Sequence, residues 1–147
     1  AKYEPGLNGR YNSRVIKSDI HIYCMDDNSA EVFCTTTHEI AHSVMQFWNV
    51  FNYNNYNDKM RDTWAEGIAW FLTGRVYDVS YYKSHLHKNN TQYTSLVKYL
   101  YEDCDFTMAQ IEKGFKSMTS WDTLKLYFKK LKPERYADIN EAFARCE

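Results

Sequence analysis

The sequence predicts an α+β fold that is mostly α-helical, with a small N-terminal sheet, two longer helices and a C-terminal helical bundle. Three observations predict it. Period-two alternation is confined to one short stretch near the N-terminus. From residue 29 onward apolar residues recur mainly at steps of three and four. Helix-start signals are repeated through the last third of the chain. A length of 147 residues suits one domain, divisible into residues 1–77 and a helical part, 78–147.

Residues 1–17 read as irregular surface chain. In the segment that follows, Ile20, Ile22 and Cys24 alternate with Asp19, His21 and Tyr23, the pattern of a half-buried strand. Residues 25–29 form a turn. A long helix is expected from about Ser29 to Asn49, capped by Asn28 with Glu31 as its reciprocal partner. Its inward face would carry Phe33, Thr37, Ile40, Ala41, Val44 and Trp48. The Asn- and Tyr-rich residues 52–57 read as a loop. Asp58 or Asp62 then caps a second helix running to about Thr73, with Trp64, Ile68, Phe71 and Leu72 as its stripe and Gly74 as its C-cap.

The remainder is helical: residues 90–101 with Tyr93, Leu96, Val97, Leu100 and Tyr101, then a capping box at Thr107 and Gln110 ahead of Ile111 and Phe115. Ser120 caps a helix bearing Leu124, Phe128 and Leu131. Pro133 opens the last one, with Tyr136, Ile139 and Phe143 facing inward.

Composition narrows the function. A net charge of −1 gives no electrostatic footprint for nucleic acid or an anionic membrane. No apolar run approaches the roughly 20 residues of a membrane span. Thirteen Tyr and four Trp supply rings that bury well but carry polar tips. The four Cys lack a C-x-x-C pair, which disfavours a Cys-rich zinc knuckle. Their even number suits two disulfides, with the local pairing Cys24–Cys34 and Cys104–Cys146 preferred over the other two connectivities, and a secreted or extracytoplasmic location. The alternative is four buried thiols.

Chemistry concentrates in His38-Glu39-Ile40-Ala41-His42. Two His four apart on a helix project from one face and can share a metal ion. Imidazole with carboxylate favours zinc. Glu39 lies about 100° further round the helix, poorly placed to bind the ion but able to reach a water on it, the place of a general base. A third ligand is expected from the second helix, where Glu66 stands in the otherwise apolar run from Trp64 to Leu72. Gly67 beside it marks a close approach of another group.

His-Glu-x-x-His followed by a helix bearing Glu-Gly-x-Ala resembles the gluzincin metallopeptidases. The likeness covers residues 38–72 and is nearest to the zinc aminopeptidases of that group and to its minimal members. It implies one catalytic Zn2+ held by His38, His42 and Glu66, with Glu39 as general base and a peptide or protein as substrate. An endopeptidase is expected. An aminopeptidase would need an acidic anchor for the substrate amine, and a zinc-stabilised binding module or inactive homologue is the alternative from another class.

The chain also departs from the pattern. The 23 residues between His42 and Glu66 exceed the usual spacing. Thermolysin-like enzymes orient one imidazole with an Asp four residues after the ligand Glu, where this chain has Trp70, so another group must do so. The oxyanion-stabilising residue typical of such enzymes would come from His85, His87 or Tyr93, with Tyr93 as the candidate.

Overall fold

The computed structural model describes residues 9–12, 19–22, 29–48, 53–76 and 91–146. It is mostly helical, as expected. Two short strands, β1 (Gly9–Asn12) and β2 (Asp19–Ile22), pair antiparallel with Gly9 opposite Ile22 and Asn12 opposite Asp19. β2 was expected; β1 corrects the reading of residues 1–17 as irregular. Gly-Arg-Tyr-Asn has no alternation of its own, and its strand form is set by its ladder to β2 and its packing against α1. Ile20 remains 40% exposed, so the alternation in β2 does not mark a clean buried face.

α1 (Ser29–Trp48) and α2 (Asp58–Val76) are the two longer helices. A 3-10 turn, Tyr53–Asn55, lies between them. The expected cap Asn28 and the 25–28 turn fall outside the described residues, as does the side chain of Glu31. α1 has the predicted extent but is rotated relative to the predicted face. Ala30, Cys34, Ala41 and Met45 are buried together with Glu39, His42 and Gln46, whereas Ile40 and Val44 are exposed. The rotation has a physical cause. The His38–His42 edge faces α2, and a helix cannot also bury the side opposite to it. α2 extends past Gly74 to Val76, so Gly74 sits in the last turn rather than capping the helix. Leu72, expected inward, is 40% exposed.

Among the described residues four shorter helices follow: α3 (Thr91–Glu102), α4 (Met108–Ser117), α5 (Trp121–Leu131) and α6 (Tyr136–Ala144). The predicted capping box at Thr107 forms, and the predicted cap Ser120 makes a second one with Thr123. Thr107 accepts from Gln110 N–H while the Gln110 side chain accepts from Thr107 N–H, and Ser120 and Thr123 pair in the same way. Pro133 opens a 3-10 turn, Pro133–Arg135, that leads into α6. Tyr136 is 55% exposed and not inward, because it sits at the joint between that turn and α6.

One continuous core joins these helices, with Cys34 and Ala69 in a small separate cluster. Met45, Met60, Trp64 and Ala65 from α1 and α2 pack with Leu96, Val97 and Leu100 of α3, and on to Phe115, Phe128 and Phe143. Gly67 lies where α2 meets α3. A Cβ built on it would stand 2.6 Å from Val97 Cβ, an impossible contact. The close approach expected at Gly67 is therefore made by the side chain of Val97.

Cys34, Cys104 and Cys146 are buried thiols. The expected Cys104–Cys146 bridge is thus not formed, and the other expected bridge, Cys24–Cys34, involves Cys24, which lies outside the described residues. Burial pushes the Cys104 thiol up to about 11, which keeps it protonated. Among the described residues no helix is long and apolar enough to cross a membrane.

Candidate metal centre

α1 brings the two histidines together. His38 and His42 are one helical turn apart, and their Nε2 atoms lie 3.1 Å from each other. The rings meet edge-on, with an angle of 82° between their planes. Two nitrogens bound to one tetrahedral zinc at 2.0–2.1 Å would stand about 3.3 Å apart, so the pair is spaced to share an ion. Burial holds the His38 pKa down at about 4. Burial, then the charges of His38 and Arg61, hold His42 at about 3. Both imidazoles are therefore neutral at pH 7, the form that donates a lone pair to a metal.

α2 supplies carboxylates from the facing side. Asp62 Oδ1 lies 3.6 Å from His42 Nε2. His38, His42 and Asp62 offer ligand atoms that all fall within 4.8 Å of one another, a group that could hold a metal ion. Glu66, the expected third ligand, is one turn further along. Its Oε1 lies 3.4 Å from His38, at Nδ1 and not at the Nε2 edge that faces His42. The structure thus brings Glu66 to the histidines but gathers Asp62 into the group. In the sequence Asp62 is marked only as a possible cap. Its spacing of four from Glu66, which puts both carboxylates on one face of α2, is the signal that identifies it.

Glu39 is 5% exposed. Burial, and after it the charge of Asp62, raise its pKa to about 7. A carboxyl tuned to that value can take a proton and return it near neutral pH. It accompanies the His pair on α1 without joining the Nε2 edge, as the 100° offset requires.

Trp70 stands where a thermolysin-like chain would carry an orienting Asp. It is half-buried, with its ring against Phe71 and Tyr101, and an indole, which donates but does not accept, cannot take the part of that carboxylate. A residue from outside α1 and α2 reaches them instead. Tyr53, in the 3-10 turn, is 4% exposed and holds its Oη 3.5 Å from His42 Nδ1. Residues 52–57 read as a loop from composition, which gives no sign of this contact. Of the oxyanion candidates, His85 and His87 are outside the described residues, and Tyr93 belongs to α3 with its side chain outside them.

No family model matches the chain, and neither a curated protein nor a solved structure matches it.

Proposed function

We propose that the chain is a zinc-dependent metallopeptidase, acting as an endopeptidase on peptide or protein substrates. The observation that carries this reading is the pair of neutral imidazoles with Nε2 atoms 3.1 Å apart, facing the α2 carboxylates and accompanied by a buried Glu39. The donor set fits zinc: two neutral nitrogens and a carboxylate, with distances close to those a tetrahedral ion imposes. Bound zinc supplies a Lewis acid and lowers the pKa of a water towards about 7. His38 and His42 would hold the ion through Nε2, and a carboxylate of α2 would complete the ligand set. Glu39 accepts a proton from the attacking water and delivers it to the leaving amine.

The third ligand is the point at which the sequence and the geometry differ. The sequence pattern favours Glu66, and the distances favour Asp62. A ligand and an orienting partner differ in weight, since loss of an outer partner costs about 10–100-fold in metal affinity. Asp62→Asn and Glu66→Gln are therefore expected to weaken zinc binding unequally, and the larger loss identifies the ligand.

A second reading follows from the same two carboxylates. If both bound the ion, four protein ligands would close the site and make it structural. Glu39 speaks against this, because a closed site has no use for a buried carboxyl titrating near 7.

The test is cleavage of a mixed library of N-blocked peptides by the zinc-loaded protein, read by mass spectrometry beside Glu39→Ala. The wild type should cut and the variant should not, with a rate loss of about 10²–10⁴ and zinc retained. Full activity in Glu39→Ala would overturn the mechanism. Failure of both proteins to cut, with zinc bound, would favour the structural site. Blocked peptides also exclude an aminopeptidase, which requires a free amine.

A further inference from the structure

We propose that Tyr53 is a positioning residue for the metal centre, fixing the imidazole of His42 through its hydroxyl. The inference rests on the metal reading above and names the group that the missing Asp leaves unassigned.

The two ring nitrogens of His42 face different neighbours. Nε2 lies 3.1 Å from His38 Nε2 and 3.6 Å from Asp62 Oδ1, which makes it the metal-side atom. Nδ1 lies 3.5 Å from Tyr53 Oη. A neutral imidazole that gives its Nε2 lone pair to a metal carries its proton on Nδ1. That N–H must then be satisfied, since His42 is 9% exposed and Tyr53 4%. Tyr53 Oη is placed to accept it. A metal-bound His usually donates its second N–H to a carboxylate, a backbone carbonyl or water. Here a phenol oxygen takes that role, and a neutral acceptor leaves the imidazole a weaker donor to the ion than a carboxylate would.

The surroundings of Tyr53 hold the hydroxyl in place. Tyr56 N–H donates to Tyr53 O at 3.2 Å, closing the 3-10 turn. The Tyr56 ring, 1% exposed, lies 6.5 Å from the Tyr53 ring. The Arg61 guanidinium sits over the Tyr53 ring at 5.3 Å, and Arg61 pairs with Asp58 at the start of α2. The turn is thus tied to the same helix that carries Asp62 and Glu66. This gives the long connection between the histidines and α2 a purpose: it delivers the outer partner of His42.

The experiment compares wild type and Tyr53→Phe, which keeps the ring and removes Oη. Zinc affinity is measured by competition with a chromophoric chelator, and the melting temperature is measured on the metal-free proteins. In the cobalt-loaded wild type, the exchangeable Nδ1–H signal of His42 is followed by NMR. Tyr53→Phe is expected to bind zinc about 10-fold to 100-fold more weakly, with a near-unchanged metal-free melting temperature. The wild-type Nδ1–H should exchange slowly with water, and faster in the variant. Equal zinc affinity in the two proteins would overturn the role of Tyr53 and leave the metal reading intact. Absence of zinc binding by the wild type would overturn both. If Tyr53→Phe does not fold, fast Nδ1–H exchange in the wild type alone is enough to refute the proposal.

Discussion

The α1–α2 pair and the bundle from α3 to α6 are built on different chemistry. Among the described residues, the buried polar or charged side chains are Glu39, His42, Gln46, Thr63 and Thr73, and every one of them lies on α1 or α2. The bundle buries Leu96, Leu100, Ile111, Phe115, Leu124, Phe128, Ile139 and Phe143 completely and keeps its charges outside. Burying polar groups costs free energy unless each finds a partner, so the first region is held together partly by the second. The bundle supplies apolar burial, and the helix pair uses that support to keep ionisable groups out of water.

The largest effect expected from this contrast is in the bundle. Phe128 is fully buried, with its ring 4.9 Å from Phe106 and 6.5 Å from Phe143. Phe128→Ala should cost about 3–5 kcal/mol in chemical denaturation. The fraction that stays folded should bind zinc as before. Weakened binding in that folded fraction would break the separation between the two regions.

Glu39 should behave in the opposite way. Its pKa is raised from 4.5 to about 7 by burial and by Asp62, so between those values the folded state holds a proton that the unfolded state has lost. Its contribution to stability therefore falls as pH rises through that window and levels off above about 7. Glu39→Gln carries no such loss. In the metal-free protein it should gain on the wild type by an amount on the order of 1–3 kcal/mol as pH goes from 4.5 to 8, read from melts across that range. His38 and His42 act with the other sign. Their folded pKa values near 4 and 3 lie below 6.5, so the unfolded state takes up protons first and acid destabilises the fold below about 6.5. A Glu39→Gln gain that does not grow with pH would mean the carboxyl is not buried as described.

Gly67 and Gly74 sharpen the comparison within one helix. At Gly67 an added methyl meets Val97, and overpacking costs about 1–3 kcal/mol, partly offset by the roughly 1 kcal/mol that Ala gains in a helix. At Gly74 a Cβ would meet nothing within 4 Å, so Gly74→Ala should stabilise by up to about 1 kcal/mol. Opposite signs in paired melts are the expected result. The smallest effect is at a cap: Thr107→Ala should lose about 1 kcal/mol without change in zinc affinity.

The sequence was most legible in the bundle, where local signals and tertiary packing agree. Thr107 with Gln110, Ser120 as a cap, and the spacing of Leu124 and Phe128 each point to the observed structure. The extent of α1 and the start of α2 were legible too, as was the convergence of His38 and His42. The buried face of α1 was not. Hydropathy assigned Ile40 and Val44 to the interior, and the structure exposes them in favour of Glu39 and His42. A face that turns polar groups inward inverts the usual rule, so reading it by hydropathy misplaces it. Asp62 and Tyr53 were missed for a related reason. Each sits in a stretch whose composition reads as a cap or a loop, and only the folded chain shows that Asp62 meets Nε2 and Tyr53 meets Nδ1 of one ring.

The seam between Gly67 and Val97 has a further consequence. Glu66 immediately precedes the glycine, so the depth to which α3 seats against α2 acts as a mechanical stop for the carboxylates that face the histidines. A larger side chain at position 97 would push α2 outward like a shim, and a smaller one would let it settle. Through this seam α3 would set the calibration of a candidate centre to which it contributes no ligand among the described residues, and substitutions along it would tune the carboxylates from a distance.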